Sequence, residues 1–587
     1  MRARSWNPPR WLSLLIGIAA IGVGAALTLK PFGSLDALTL FIGASLIATG
    51  LGELLHDEPG ADRLISKAFG AILIVTGLVS LALRDQTIRT VAIVVGAGLL
   101  ISGLSRLWSF FRGATTERYV TLIGGLASTV IGLLSLTWPD ATILAIALIV
   151  GPAAVILGIG QVIRALPFRW PRAQMPTPVT PTPPSTLRRG MRVLRVTLSL
   201  IVALALVGVS GWIHKDTPAV SAFYNTPDDL PDTPGQLVRS DDFDRGLPEN
   251  SRAVRMLFTT TALDGSIGVA SAIVVVPTAE TTEPRKVILW EHGTTGIARH
   301  CAPSILADPL GSGAMPAQQQ VIDNSWALIV PDYIGLGSEG PHPYLIGVPT
   351  AQSSLDAVRA ARQVEGLNLS NDVVVWGHSQ GGGAALWVGV EAATYAPDVP
   401  LLGVVAMAPA SDLATLAPHM LNNPAGALFG AYIIQAFSQV YPDVRFDDYI
   451  RPSARELLRS TAGRCLSDPA MLISLGSILP GEDAFIQEPS SGPLAARLAE
   501  NVPSAPTGLP TFLAQGASDP LILPEVQAQF VSNLCASGQV VEYHTYAGKD
   551  HLSVVAADSP LIPDLLAWTQ ARFAGDPAAT ACSTTEE

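Results

Sequence analysis

The sequence predicts two unlike halves: seven membrane-spanning helices, six of them in three repeated hairpins, then a mostly parallel α/β sheet domain with helices on both faces. Three observations carry this. Apolar residues make up 49% of the 587-residue chain and charged residues only 14%, a balance that points towards a membrane. The charge changes sign along the chain, with 19 Lys+Arg against 8 Asp+Glu in residues 1–215 and 17 against 40 in residues 216–587. From Ser251 onwards, short apolar runs alternate with helical patterns, as in a sheet whose two faces are both covered. The acidic second half lacks the basic footprint of a nucleic-acid binder, so no nucleic-acid partner is expected.

Seven stretches approach the roughly 20 apolar residues that a bilayer helix needs: 11–29, 36–54, 65–83, 88–105, 119–137, 141–163 and 194–213. No signal-peptide cleavage pattern ends the first, which is read as a retained helix. The first six repeat. Gly17, Gly24, Gly43 and Gly50 recur as Gly70, Gly77, Gly96 and Gly103, and again as Gly125, Gly132, Gly151 and Gly158, at offsets of 53 and then 55 residues. Glycines at heptad spacing mark a helix face that a neighbour can approach closely, and they permit self-association. The acidic residues Asp36, Glu53, Asp85 and Asp140 fall at helix ends or in loops, which leaves no visible ion path. Over about residues 11–165 this pattern resembles the HdeD-type acid-resistance membrane proteins. The resemblance implies six helices in three hairpins and no known chemistry.

Positive charge orients the helices. With the N-terminus inside, the cytoplasmic segments hold most of the basic residues, from Arg2, Arg4 and Arg10 to the run Arg188, Arg189, Arg192, Arg195, whereas the opposite loops hold Lys30, Arg84 and Arg89. Seven crossings then place everything after Trp212 outside. The expected organisation is a six-helix module at 1–165, a Pro/Thr/Arg-rich cytoplasmic linker at 166–192, a seventh helix at 193–213 and an extracytoplasmic catalytic domain at 214–587. The linker composition favours an extended, semi-rigid chain. All four cysteines (Cys301, Cys465, Cys535, Cys582) lie in the acidic half without metal-ligand spacing. An even, widely separated set suits two disulfides in an oxidising compartment, with all three pairings open; four buried thiols in a cytosolic protein is the alternative.

In the second half, Val254–Thr261 and Gly268–Val276 read as opening antiparallel strands. Lys286–Trp290, Trp326–Val330, Val373–Trp376, Leu402–Met407, Thr511–Ala514 and Val540–Tyr546 follow, with helices near 350–364, 381–394, 524–535 and 560–573. The strand Val373–Trp376 runs into Gly377-His378-Ser379-Gln380-Gly381 and then into a helix of small residues. A GxSxG pentapeptide alone is weak; between a strand and a helix it is a nucleophile elbow, whose glycines allow the sharp turn while the Ser Oγ projects over the sheet. Ser379 is therefore the candidate nucleophile.

A serine hydroxyl needs a base, and the base needs an orienting acid. His551 follows the last predicted strand and is the candidate base. Asp519, in Gly516-Ala517-Ser518-Asp519-Pro520, follows the strand Thr511–Ala514 and is the candidate acid; Asp412, one strand earlier, is its rival. Asp550 reads as a solvated turn residue and His292 as a structural one. Two N–H donors are needed for a developing oxyanion. Gln380 N–H, next to the nucleophile, is one; Thr294 N–H in the turn Glu291-His292-Gly293-Thr294-Thr295-Gly296 is the other, with Gly293 as its alternative.

Residues 413–508 separate two core strands and are too many for a plain connection, so they are expected to form a helical cap, with helices at Ala427–Gln439 and Ala454–Thr461. The segments Glu291–Gly296, Pro331-Asp332-Tyr333-Ile334-Gly335-Leu336-Gly337, Gly340-Pro341-His342-Pro343-Tyr344 and Gly377–Gly382 resemble those of bacterial secretory-lipase-type α/β-hydrolases, over about Phe223 to Phe573. That resemblance implies a Ser379–Asp519–His551 triad, lipase or carboxylesterase activity, a helical cap, and no metal or cofactor. The seven helices stand where such enzymes carry a cleaved export signal. The expectation is thus a multi-pass cell-membrane protein with an outward-facing serine ester hydrolase acting on an ester or lipid. A peptidase or amidase on the same fold is one alternative. A non-catalytic membrane stress or scaffold protein with a ligand-binding outer domain is the other.

Overall fold

The computed structural model describes residues 87–112, 117–137, 186–214 and 219–587, except 422–423, 470, 472–473 and 475–483, together with scattered residues between 14 and 78 and between 152 and 165. The chain divides into two compact units. One comprises residues 1–215 with the short segments 450–457 and 476–486, and the other comprises the rest.

The first unit contains α1 (Thr87–Phe111), α2 (Arg118–Thr137) and α3 (Thr186–His214). Three of the predicted spans, 88–105, 119–137 and 194–213, fall within these helices; 11–29, 36–54, 65–83 and 141–163 lie largely outside the described residues. Among the described residues, Arg118–Leu136 and Arg192–Val209 are long and apolar enough to cross a membrane. The repeated glycines make close approaches. A Cβ at Gly132 would stand 2.9 Å from the Gly96 carbonyl oxygen, and one at Gly103 would stand 2.8 Å from that of Gly125. One at Gly158 would stand 2.7 Å from the carbonyl oxygen of Gly17. Each pair thus joins one repeat to another rather than the two helices of a single hairpin.

The second unit is built on a ten-stranded sheet: β1 (Leu237–Phe243), β2 (Ser251–Thr261), β3 (Ile267–Pro277), β4 (Arg285–Glu291), β5 (Ala327–Pro331), β6 (Leu369–His378), β7 (Leu401–Met407), β8 (Thr511–Gly516), β9 (Val541–Tyr546) and β10 (Ser583–Glu586). Their spatial order is β1-β2-β3-β5-β4-β6-β7-β8-β9-β10. β1, β2, β3 and β5 pair antiparallel; the pairs from β5·β4 to β9·β10 are parallel. The central strands are apolar almost throughout, because successive side chains point to opposite faces and both faces are covered. Val287, Leu289, Val373 and Val375 face one cluster with Leu355 of α5 (Gly347–Ala361) and Leu386 of α6 (Gln380–Tyr395). Ile288, Trp290, Val374 and Trp376 face the other with Val321 of α4 (Gln318–Asp323), Leu565 and Trp568.

The predicted strands all lie within or overlap observed ones, as do the predicted helices. The edge strands β1 and β10 were not foreseen. Between β7 and β8 come five helices: α7 (Leu413–Leu421), α8 (Pro424–Val440), α9 (Phe446–Tyr449), α10 (Pro452–Ala462) and α11 (Gly492–Glu500). Two of these cover the predicted Ala427–Gln439 and Ala454–Thr461. The cysteines pair as Cys301–Cys465 and Cys535–Cys582. The first bond ties the loop after β4 to this insertion, where Leu466 N–H also donates to Thr295 O at 2.8 Å. The second fastens the segment before β10 to Cys535, in the helix that precedes β9.

Candidate active site

The site sits at the carboxyl ends of β4, β6, β8 and β9. β6 ends at His378 and α6 begins at Gln380, so Ser379 takes the whole turn between them, at φ 57° and ψ −118°. That conformation is unfavourable for a residue with a Cβ and persists only where its surroundings over-determine it. Here they do. A Cβ on Gly377 would collide with the Gly381 carbonyl, and one on Gly381 with the Glu291 carbonyl at the end of β4. The backbone of Ser379 is also clamped to the segment leaving β7: its N–H donates to Met407 O (2.9 Å) and its carbonyl accepts from Ala410 N–H (3.0 Å).

Ser379 Oγ stands 2.9 Å from His551 Nε2, and His551 Nδ1 stands 2.8 Å from Asp519 Oδ2. Asp519 is buried and its oxygens are fixed. Leu521 and Ile522 N–H donate to Oδ1 at 2.8 and 2.9 Å, and Gln515 Nε2 donates to Oδ2 at 3.0 Å. The rival acid, Asp412, accepts from the N–H and hydroxyl of Thr415 and so caps the start of α7. Asp550 accepts from Leu552 and Ser553 in an exposed turn, and the Ser553 hydroxyl and N–H hold its carboxyl below the usual range.

For the expected oxyanion donors, Gln380 is the first residue of α6, where an N–H has no intrahelical acceptor. Gly293 N–H donates to Gly313 O at 3.0 Å, which leaves Thr294 as the better placed of the two alternatives in that loop. Thr294 and Ser379 line one cleft of about 550 Å³. The Thr294 hydroxyl is 2.9 Å from Tyr344 OH, which anchors the loop.

Beneath the site lies a set of buried ionisable groups. His292 stacks on Tyr333 at 4.2 Å and contacts the Gly293 and Asp332 carbonyls; burial pushes its imidazole down to about 4, and it is structural as expected. Asp332, raised by burial, accepts from Ser271 and Ser304. Glu291 is fully buried and accepts from the Ser354 hydroxyl, and desolvation pushes its carboxyl up to about 8. Sequence reasoning missed His378. It is buried, its Nε2–H donates to His551 O at 2.9 Å, and its ring lies 4.9 Å from that of His551. Burial, then the neighbouring His551, pushes its imidazole down to about 3, so it stays neutral. The only sequence signal was its place inside the pentapeptide.

Residues 317–581 match the secretory lipase family. The C-terminal part of this chain is a secretory-lipase domain. Its α/β-hydrolase fold is that of Candida antarctica lipase A, which it matches with a TM-score of 0.52 at 19% identity over 63% of this chain and 90% of that one. A Mycobacterium tuberculosis protein called "Probable inactive lipase" is 26% identical over 59% of this chain and 79% of its own length. Lipase 6 of Candida albicans is 25% identical over 52% and 69%. The secretory-lipase domain is thus of the lipase/esterase hydrolase type, although one of its relatives is named as inactive. Ahead of it, residues 2–57, 68–134 and 123–175 match a short repeat of unknown function (DUF308), three copies as the glycine spacing predicts.

Proposed function

We propose that the protein is a membrane-anchored serine ester hydrolase whose catalytic domain faces outwards. The observation that carries this reading is the continuous chain Ser379 Oγ–His551 Nε2 (2.9 Å) and His551 Nδ1–Asp519 (2.8 Å), with Asp519 immobilised by three further donors. As Ser379 attacks the ester carbonyl, its proton passes to His551 Nε2 and the carbonyl electrons collect on oxygen, held by Gln380 and Thr294 N–H. The imidazolium, stabilised by Asp519, returns the proton to the departing alcohol. Water, deprotonated by His551, then releases the acid from the acyl-serine. None of this needs a metal or cofactor.

The cleft lining supports an ester over a charged peptide, since among the described residues His551 and His378 are its only ionisable side chains. In this reading residues 1–165 form the six-helix module, 166–192 a cytoplasmic linker, 193–213 the seventh crossing and 214–587 the catalytic domain with its cap at 413–508. The lipid bilayer is then the partner of the first half, and glycine-lined helices are the route to self-association. A second reading, a non-catalytic outer domain, draws on the M. tuberculosis relative named as inactive. Purified full-length protein in detergent, beside Ser379→Ala, decides between them. Hydrolysis of p-nitrophenyl esters and fluorophosphonate labelling, both lost in the variant, support the enzyme; a folded wild type that does neither overturns it.

A further inference from the structure

Thr294 sits in the loop from His292 to Ala298, between β4 and a 3-10 turn at Arg299–Cys301, and this loop contains no helix or strand. What holds its backbone in place must therefore come largely from outside it. The supports come from the cap. The Thr294 hydroxyl is 2.9 Å from the hydroxyl of buried Tyr344, whose ring meets Tyr432 of α8 edge-on at 5.8 Å. Tyr432 OH in turn donates to Arg464 O at 2.9 Å.

The next two residues of the cap return to the same loop. Cys465 is bonded to Cys301, and Leu466 N–H donates to Thr295 O at 2.8 Å. Gly296 lies between these links at φ 136°, where a Cβ would stand 2.7 Å from Cys301 Sγ and 3.0 Å from Arg464 O. The contacts thus close a ring from Thr294 through Tyr344, Tyr432 and Arg464–Leu466 back to Thr295 and Cys301. Leu466 also lines the cleft that holds Ser379, so one cap segment both bounds the substrate and braces the loop.

An N–H donor stabilises a developing oxyanion only if it is already aimed at it, and a shift of about 1 Å can cost about 100-fold in rate. A loop with no helix or strand of its own meets that demand when it is braced at several points. Building on the ester-hydrolase reading above, in which Thr294 N–H holds the oxyanion, we propose that the cap is a working part of the oxyanion hole. Tyr344, Tyr432, the Leu466 N–H and the Cys301–Cys465 bond are its positioning groups. They act through Thr294, so their loss costs turnover rather than substrate affinity.

Full-length protein in detergent is titrated to completion with a fluorophosphonate, and p-nitrophenyl butyrate hydrolysis is expressed per titrated serine. A trifluoromethyl ketone, which binds serine hydrolases as a tetrahedral adduct with its own oxyanion, serves as inhibitor. The double variant Cys301→Ser/Cys465→Ser should lose about 100-fold in kcat per site with KM little changed, and the ketone Ki should rise by a similar factor. Tyr344→Phe and Tyr432→Phe each delete one hydroxyl and keep the packing, and should show matched changes of about three- to tenfold. Cys535→Ser/Cys582→Ser removes the other crosslink and should lower the melting temperature while leaving per-site kcat and Ki as in the wild type. Tyrosine variants with unchanged per-site kcat and Ki overturn the inference, whether or not the first cysteine pair folds without its bond. So does an equal loss of per-site kcat in the control pair. A wild type that neither labels nor hydrolyses overturns the ester-hydrolase reading, and this inference with it.

Discussion

Ser379, His551 and Asp519 lie far apart in the chain and within two hydrogen bonds of one another in space, so the tests of each are separable. Ser379→Ala is expected to reduce kcat by about six orders of magnitude, and Asp519→Asn by about four, through the wrong imidazole tautomer. Steady-state kinetics beside an unchanged melting profile would check both. His378 offers a subtler test. Its Nε2–H holds the carbonyl of His551, so His378→Phe keeps the bulk and loses the tether. A fall in kcat of about 10–100-fold with little change in KM is expected, because small misplacements of a reacting group cost about that much. Since burial holds His378 near 3, it is neutral wherever the enzyme works, and the pH–rate profile of the variant should keep the shape of the wild type.

At the scale of elements, the legible parts of the fold were those with a strong hydrophobic signature. β2 to β9 are apolar runs and were readable as such, and the strand–GxSxG–helix passage placed the elbow. β1 (Leu-Val-Arg-Ser-Asp-Asp-Phe) and β10 (Ser-Thr-Thr-Glu) were not legible, because an edge strand pairs on one side and needs little apolar content. Short cap helices such as α9 and α11 give too few turns for a periodic signal. Strand order favours Asp519, which follows β8 and lies 2.8 Å from His551, over Asp412, which caps α7. The disulfide pairing and the tether from His378 were not legible, since both are contacts between distant segments. In the first half, the glycine spacing announced close approach but not which helices meet. Gly103→Leu should overpack the α1·α2 seam, costing about 1–3 kcal/mol, whereas Gly98→Leu, with nothing within 4 Å, should be tolerated. Thermal aggregation of the two full-length variants in detergent would read the difference.

For the whole molecule, Glu291 links stability to pH. Its carboxyl is raised from 4.5 to about 8 by burial, so the folded state keeps a proton that the unfolded chain loses. The stability it contributes is fully present below about 4.5 and is lost as pH rises towards 8. Glu291→Gln removes the titration, so the melting temperature of the variant should fall less between pH 5 and 8.5 than that of the wild type. An equal fall in both would show that other groups set the alkaline limit. The proposed orientation is tested on intact cells: an added protease should reach epitopes after Asp216 and spare those in residues 166–192.

The bond between Cys301 and Cys465 also determines what a break in the chain would do. It encloses β5, β6, β7, Ser379 and the first part of the cap, its ends being 164 positions apart in the chain. A single cut anywhere between those cysteines leaves the two pieces covalently joined. Nicked protein would therefore run as one band on a non-reducing gel and as two after reduction. A cut in the cap after Cys465 has no such bridge and would free the C-terminal piece, so the part of the cap before Cys465 is the part protected against loss by a single nick.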